Sequence, residues 1–226
     1  AGGAGGGEGL YVDDLFSTFL YEGTGSTLSI DNGIDLSGEG GLVWLKKRSA
    51  TGNHWVFDTE RGASSRLLTN TNGAANTGVS GLSFNSNGFT VNSDSSINAS
   101  GEDHVMWSFR KAPGFLDIVT YTGTGGTQNI SHSLGSTPGM IIIKNIDSAY
   151  HWTVWHRSLS TGQFLRINTT GGAASSYQNS HVSSVSSTTF TCGGDAEVNG
   201  NNKEYVAYVF AHDDQSFGTN SNEAII

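Results

Sequence analysis

The chain has little of what staples a protein together or charges it strongly. A single cysteine, Cys192, stands among 226 residues, which excludes an intrachain disulfide. It closes the strand-like run Thr188-Thr189-Phe190-Thr191-Cys192, where a buried structural thiol is the expected state. Charged residues make up only 14% of the chain, with a net charge of −9. Lysine and arginine are scattered, and the only basic run, Lys46-Lys47-Arg48, reads as a solvated strand end. A nucleic-acid groove needs clustered positive charge to displace counterions, so nucleic acid is set aside as a partner. No stretch approaches the ~20 apolar residues of a membrane-spanning helix, so no membrane insertion is expected. No signal peptide is visible either. The chain does not begin with Met, and it is expected to be a processed product or a piece of a longer protein.

Catalytic signatures are missing as well. There is no Gly-x-Ser-x-Gly elbow to activate a serine and no His-Glu-x-x-His pair to hold zinc. Nor is there a Gly-x-x-x-x-Gly-Lys-Ser/Thr loop to cradle phosphate. Each absence lowers the expectation of an enzyme, and no cofactor is implied.

What the chain does have is aromatic residues: 11 Phe, 7 Tyr and 5 Trp in a composition only 35% hydrophobic. Aromatic side chains bury much area each, so modest cores are affordable. The uncharged remainder, rich in Ser, Thr, Asn and Gly, supplies the surface.

The central pattern is Gly139-Met140-Ile141-Ile142-Ile143-Lys144, a short apolar run that reads as a strand covered on both faces. A turn leads from it into Trp152-Thr153-Val154-Trp155-His156, so the pair reads as a hairpin. The unit occurs twice. Gly41-Leu42-Val43-Trp44-Leu45-Lys46 precedes His54-Trp55-Val56-Phe57-Asp58, and Met140 lies 98 positions after Leu42. Further matches support a duplication. Tyr21-Glu22-Gly23-Thr24-Gly25 corresponds to Tyr121-Thr122-Gly123-Thr124-Gly125 at an offset of 100. Phe89 corresponds to Phe190 at an offset of 101. Turns at Asn98-Ala99-Ser100-Gly101 and Asn199-Gly200-Asn201-Asn202 each feed a last strand, at 105–109 and 206–210. The drift in offset belongs in loops, where insertions cost little.

Leu15, Phe16, Phe19 and Leu20 have helical spacing, but the repeat aligns this region with the β-branched Ile118-Val119-Thr120-Tyr121 and favours a strand over 17–22. The expected fold is therefore all-β: two tandem related β-sandwich, jelly-roll-like modules arising from an internal duplication. Residues 1–13, glycine-rich at the start, read as a linker or tether. The modules follow at 14–112 and 113–217, and 218–226 is a C-terminal tail.

Several constellations invite a functional reading. Asp58, Glu60, Glu102 and Asp103 could serve as the carboxylate pair of a polysaccharide-cleaving site. The second copy places His156 and Ser158 opposite Asp58 and Glu60, so such a site would exist in one half only, and solvated carboxylates are the commoner outcome. His151 and His156 lie five apart, on opposite faces of a strand, which disfavours a shared metal. Ser83-x-Asn85-x-Asn87-Gly88 faintly echoes a calcium loop but is more simply a hairpin turn. Trp55, Trp152, Trp155 and Tyr150 could form a sugar-stacking platform, with His156 and Arg157 donating to hydroxyls. Core packing is the competing reading, since strand alternation points at least one of Trp152 and Trp155 inward. The candidate glycan-binding residues are thus Trp152, Trp155, His156 and Arg157.

The stretch from Gly40 to Lys46 with His54 to Gly62 resembles a domain family found in virion proteins of tailed phages, marine and cyanobacterial ones especially. So does Ile130-Ser131-His132-Ser133-Leu134-Gly135-Ser136-Thr137-Pro138-Gly139 with Trp155-His156-Arg157-Ser158-Leu159. The similarity runs from about residue 14 to 217 and brings no catalytic residues with it. It implies a non-enzymatic tail-fibre, fibre-like or decoration component, assembled in the host cytoplasm and exposed on the particle. Its partners would be other virion proteins, further copies of itself (a trimer, as in fibres) and a host-surface glycan. The alternatives are a lectin-like module and, behind it, a polysaccharide-cleaving enzyme.

Overall fold

The computed structural model describes residues 10–212 apart from residue 80, so the glycine-rich start at 1–9 and the tail at 218–226 lie outside the described residues. The first half opens with a one-turn helix, α1 (Val12–Leu15), and nine strands follow. They are β1 (Phe16–Glu22), β2 (Leu28–Asp31), β3 (Gly41–Lys47), β4 (His54–Asp58), β5 (Ser65–Leu68), β6 (Asn76–Thr77), β7 (Leu82–Asn85), β8 (Gly88–Val91) and β9 (Asp103–Arg110). A second single turn, α2 (Ser95–Asn98), precedes β9. The second half contributes β10 (Leu116–Thr122), β11 (Gln128–Ser131), β12 (Pro138–Asn145), β13 (Thr153–His156), β14 (Gln163–Arg166), β15 (Ala174–Ser175), β16 (Val182–Val185), β17 (Thr189–Cys192) and β18 (Glu204–Ala211).

Both halves have the same topology. In the first, β1-β9-β3-β4-β5-β6 form a six-stranded sheet and β2-β8-β7 a three-stranded one. In the second the orders are β10-β18-β12-β13-β14-β15 and β11-β17-β16. All pairings are antiparallel. Each half is thus a β-sandwich of a large sheet on a small one. The outer edge strands β6 and β15 are only two residues long, which leaves little edge for unwanted pairing.

Strand alternation explains how the sandwiches stack. On β3, Val43 and Leu45 face the small sheet and meet Phe89, Val91 and Met106, while Leu42 points the other way. On β12, Ile141 and Ile143 meet Phe190 and Cys192, while Met140 and Ile142 point away. The outward residues of the two large sheets meet each other in a third cluster built from Leu42, Val56, Leu67, Ile118, Trp152, Val206, Tyr208 and Phe210. The body therefore has four layers of three, six, six and three strands, and the middle interface has an apolar cluster of its own. Full burial of each large side chain there is worth roughly 1.5–3 kcal/mol. Covered on both faces, β12 has the unbroken apolar run that a doubly buried strand needs.

The repeated Tyr-x-Gly-Thr-Gly and Asn turns form one kind of corner, made twice. The hydroxyl of Tyr21 donates to the Ile97 carbonyl at 2.5 Å and that of Tyr121 to the Val198 carbonyl at 2.5 Å. The amide of Thr24 donates to Asn98 Oδ1 at 2.9 Å, and that of Thr124 to Asn199 Oδ1 at 2.9 Å. Both asparagines are fully buried. The Asn85–Gly88 segment is a two-residue hairpin turn joining β7 to β8. Gly88 has a positive φ there, and a Cβ would collide with the Ile30 carbonyl of β2.

Candidate functional site

The residues proposed from sequence for a sugar platform are dispersed. Trp152 is 1% exposed, stacks on Tyr208 at 6.3 Å, and donates its indole N–H to the Leu68 carbonyl of the other half at 2.8 Å. This is a correction: the ring is spent on joining the sheets and is not part of a solvent-exposed platform. Trp155 points to the opposite side and packs half-buried on the second sandwich core. His156 is half-buried and accepts the Ser158 amide through Nδ1, and Arg157 is exposed. Trp55 is buried in the first sandwich core with the Arg66 guanidinium 4.2 Å from its ring centre.

Three of the four candidate carboxylates are likewise engaged, and Asp103 is exposed. Asp58 is fully buried and receives Arg61 Nε at 2.6 Å and the Tyr208 hydroxyl at 2.7 Å. Glu60 pairs with Lys111 at 2.5 Å, and Glu102 accepts from Ser49. His151 bonds Asn168 at 2.9 Å. Among the described residues no three His, Cys, Asp or Glu side chains are grouped to hold a metal ion.

A denser polar cluster lies in the second half. Glu197 accepts Arg166 at 2.6 Å and the Thr153 hydroxyl at 3.1 Å, with His181 Nε2 3.6 Å away. Burial opposes its ionisation, but His181, Arg166 and Thr153 more than offset that and hold the carboxyl down at about 2. The His181 ring stacks on Phe164 at 3.8 Å. Residues from β13, β14 and two loops are tied together here, so the cluster is a brace for the small-sheet side.

The open feature is elsewhere, at the middle interface. The two large sheets are in direct contact at Asp58 and Tyr208. Between them lies a chamber of about 240 Å³, walled by Leu42, Trp44 and Val56 on one sheet and Met140, Ile142 and Trp152 on the other. Past Trp44 and Phe109 it adjoins a groove bearing Phe16, Trp107, Lys46 and His54. Trp44 and Trp107 meet edge to face at 6.0 Å, and Phe16 lies on Phe109 at 4.8 Å. All four rings are half-buried.

The two halves differ at this face. The strand register puts Ile142, Lys144, Trp152 and Tyr208 of the second half at the places of Trp44, Lys46, His54 and Trp107 of the first. Lys144, Trp152 and Tyr208 are all buried, and Trp152 and Tyr208 bond the opposing half. Their first-half counterparts are left half-open. The cue in the sequence was the Trp44/Trp107 pair in place of Ile142/Tyr208. It could not be read without knowing which sheet faces pack. Such a groove can take the C–H face of a sugar ring against indole, with Lys46 and His54 for polar groups. Burial, then the nearby Lys46 charge, holds the His54 imidazole below its usual range, so it is neutral near pH 7.

Searches against curated proteins and against solved structures returned no match. A family match does cover residues 12–219, spanning both sandwiches and the groove between them. The chain belongs to the family described as Domain of unknown function (DUF7483).

Proposed function

We propose that the chain is a non-enzymatic structural or appendage component of a phage particle that adheres to host-surface glycans through the Trp44–Trp107 groove. The observation that carries the adhesive part is the groove itself: two indoles held at 6.0 Å beside a lysine and a neutral histidine. They sit on strands hydrogen-bonded on both edges, which fixes the platform before any ligand arrives. The particle part is supported by the phage-family resemblance in the 40–62 and 130–159 stretches. The common topology and the twice-made tyrosine–asparagine corner fit an origin by duplication. Assembly with other virion proteins and as a homo-oligomer, a trimer in a fibre, belongs to the same reading.

The test is size-exclusion chromatography with light scattering, on the chain alone and with deacylated host-surface polysaccharide. A polysaccharide-dependent shift that disappears in Trp44→Ala and Trp107→Ala, with melting temperatures little changed, supports adhesion. A shift indifferent to both substitutions, or no shift at all, removes it. Antibody labelling of purified particles decides the particle assignment separately.

A further inference from the structure

The chamber behind the groove has its own chemistry. Its walls are apolar, and it is larger than the ~150 Å³ apolar cavities that stay dry and take up benzene. Two of the polar side-chain atoms on its lining residues are satisfied: the Tyr208 hydroxyl by Asp58 and the Trp152 indole N–H by Leu68. Thr69 Oγ1, by contrast, is buried without a partner, in a residue only 4% exposed. Buried hydroxyls are rarely left so, because a desolvated donor with no hydrogen bond is costly.

Thr69 also has telling neighbours. Its amide donates to the His54 carbonyl at 3.0 Å, and His54 pairs in register with Lys46. Lys46, His54 and Thr69 therefore form one row across three adjacent chain segments. The next row on the same face is Trp44, Val56 and Leu67. A polar, cationic row thus borders an apolar one at the chamber's open side. Lys46 makes no ion pair among the described residues. In the second half the corresponding row is Lys144, Trp152 and Ile167, of which Lys144 and Trp152 are buried.

We propose that this face binds an anionic amphiphile, with its aliphatic chain in the chamber between the sheets and its anionic head on the Lys46–His54–Thr69 row. This rests on the reading of the groove as a recognition surface and names its ligand class as a lipid-linked, negatively charged molecule rather than bare polysaccharide. No covalent step is involved.

Octanoate is the probe, with octanol as its uncharged control, in calorimetric titrations on the whole chain. Octanoate is expected to bind at least about tenfold more tightly than octanol, a difference of ~1.4 kcal/mol. Lys46→Gln should remove that preference, and Thr69→Val should weaken octanoate while leaving octanol nearly unchanged. Ile142→Phe, which fills the chamber, should weaken both; a melting curve checks that it folds, and the surface change at Lys46 serves if it does not. The His54 imidazole should titrate higher by NMR with octanoate present and not with octanol. No binding of either probe overturns the proposal, as does binding that ignores Lys46→Gln and Ile142→Phe. If deacylated polysaccharide binds through Trp44 and octanoate does not, the amphiphile fails and adhesion stands. The converse result leaves the amphiphile site and removes bare-glycan adhesion.

Discussion

The hydroxyl of Tyr208, on the last strand of the second sandwich, donates to the carboxylate of Asp58, on the first, at 2.7 Å. Arg61 completes the contact from the first half, reaching Asp58 at 2.6 Å and the Tyr208 oxygen at 3.3 Å. Its side chain is 3% exposed and that of Asp58 not at all. Burial alone would lower the Arg61 pKa, but Tyr208 and Asp58 overcome it and raise it. Buried charge is tolerated here because each partner is hydrogen-bonded.

Removing one member of this triad should cost more than its hydrogen bond is worth. Arg61→Met leaves the Asp58 carboxylate buried and unpaired, with an expected loss of ~3–5 kcal/mol in chemical denaturation. Tyr208→Phe leaves the ion pair intact and should cost only ~1–2 kcal/mol. Equal losses would show that the pair does not depend on its charge partner.

The Glu197 brace should make the protein acid-sensitive in a defined window. Its carboxyl is held at about 2 in the folded chain, against ~4.3 in an unfolded one. The carboxylate's contribution is thus complete above the unfolded value and is lost as pH falls toward 2. Stability measured from pH 5 to 2 should drop by ~2 kcal/mol more in the wild type than in Glu197→Gln. Parallel curves would rule the brace out as the source.

Lys144 works in the opposite direction. It is fully buried, donating to the Asn145 carbonyl at 2.6 Å, and burial lowers its pKa to about 8 despite the pull of Glu197. An unfolded lysine titrates near ~10.4, so the unfolded chain holds more protons between the two values and stability rises with pH there. Guanidinium titrations at pH 7.5 and pH 10 should show the wild type gaining ~2 kcal/mol relative to Lys144→Met. No such gain would mean the ammonium is solvated.

Asn98 and Asn199 hold equivalent corners, and each should be costly to lose. Asn98 accepts the Thr24 amide and donates to the Asn92 carbonyl at 2.8 Å and the Ser26 carbonyl at 2.5 Å. Asn98→Ala orphans three backbone groups, for an expected loss of ~3 kcal/mol. Asn199→Ala should cost a similar amount by the same melting assay, and a large inequality would break the equivalence.

Cys192 should be silent to thiol reagents in the native state. It is 0% exposed, and burial pushes its thiol up to about 12 despite a hydrogen bond with Tyr121. Labelling with a chromogenic disulfide should follow the unfolding rate. Prompt labelling of the native chain would contradict its burial.

Much of the fold was legible because its signals are local. Period-two runs marked the strands, Asn85 to Gly88 marked a hairpin, and the helical spacing around Phe19 gave way to a strand at Phe16–Glu22. The one-turn helix before it escaped notice, being too short to show a period. The site was less legible for a definite reason. Alternation shows that Trp152 and Trp155 point to opposite sides, and the notion of an exposed platform assumed that one side meets water. Face-to-face stacking of the two large sheets buried Trp152 and left Trp44 and Trp107 at the open end. Which of two like faces is covered depends on contacts between residues as far apart as Asp58 and Tyr208, and no local pattern encodes that.

The strand order has a consequence for how the molecule comes to exist. In each half the last strand made, β9 or β18, lies in the large sheet between the first and third, which are not paired with each other. Neither sheet can close until its final segment has left the ribosome, and each closure joins pieces of chain nearly a whole half apart. Assembly should therefore be slow, as it is for folds dominated by distant pairings. It should also be stepwise: the first sandwich can form while the second is being synthesised, and it must wait with its apolar face bare until β18 arrives. In that interval the surface that later joins the halves is the chain's greatest aggregation hazard.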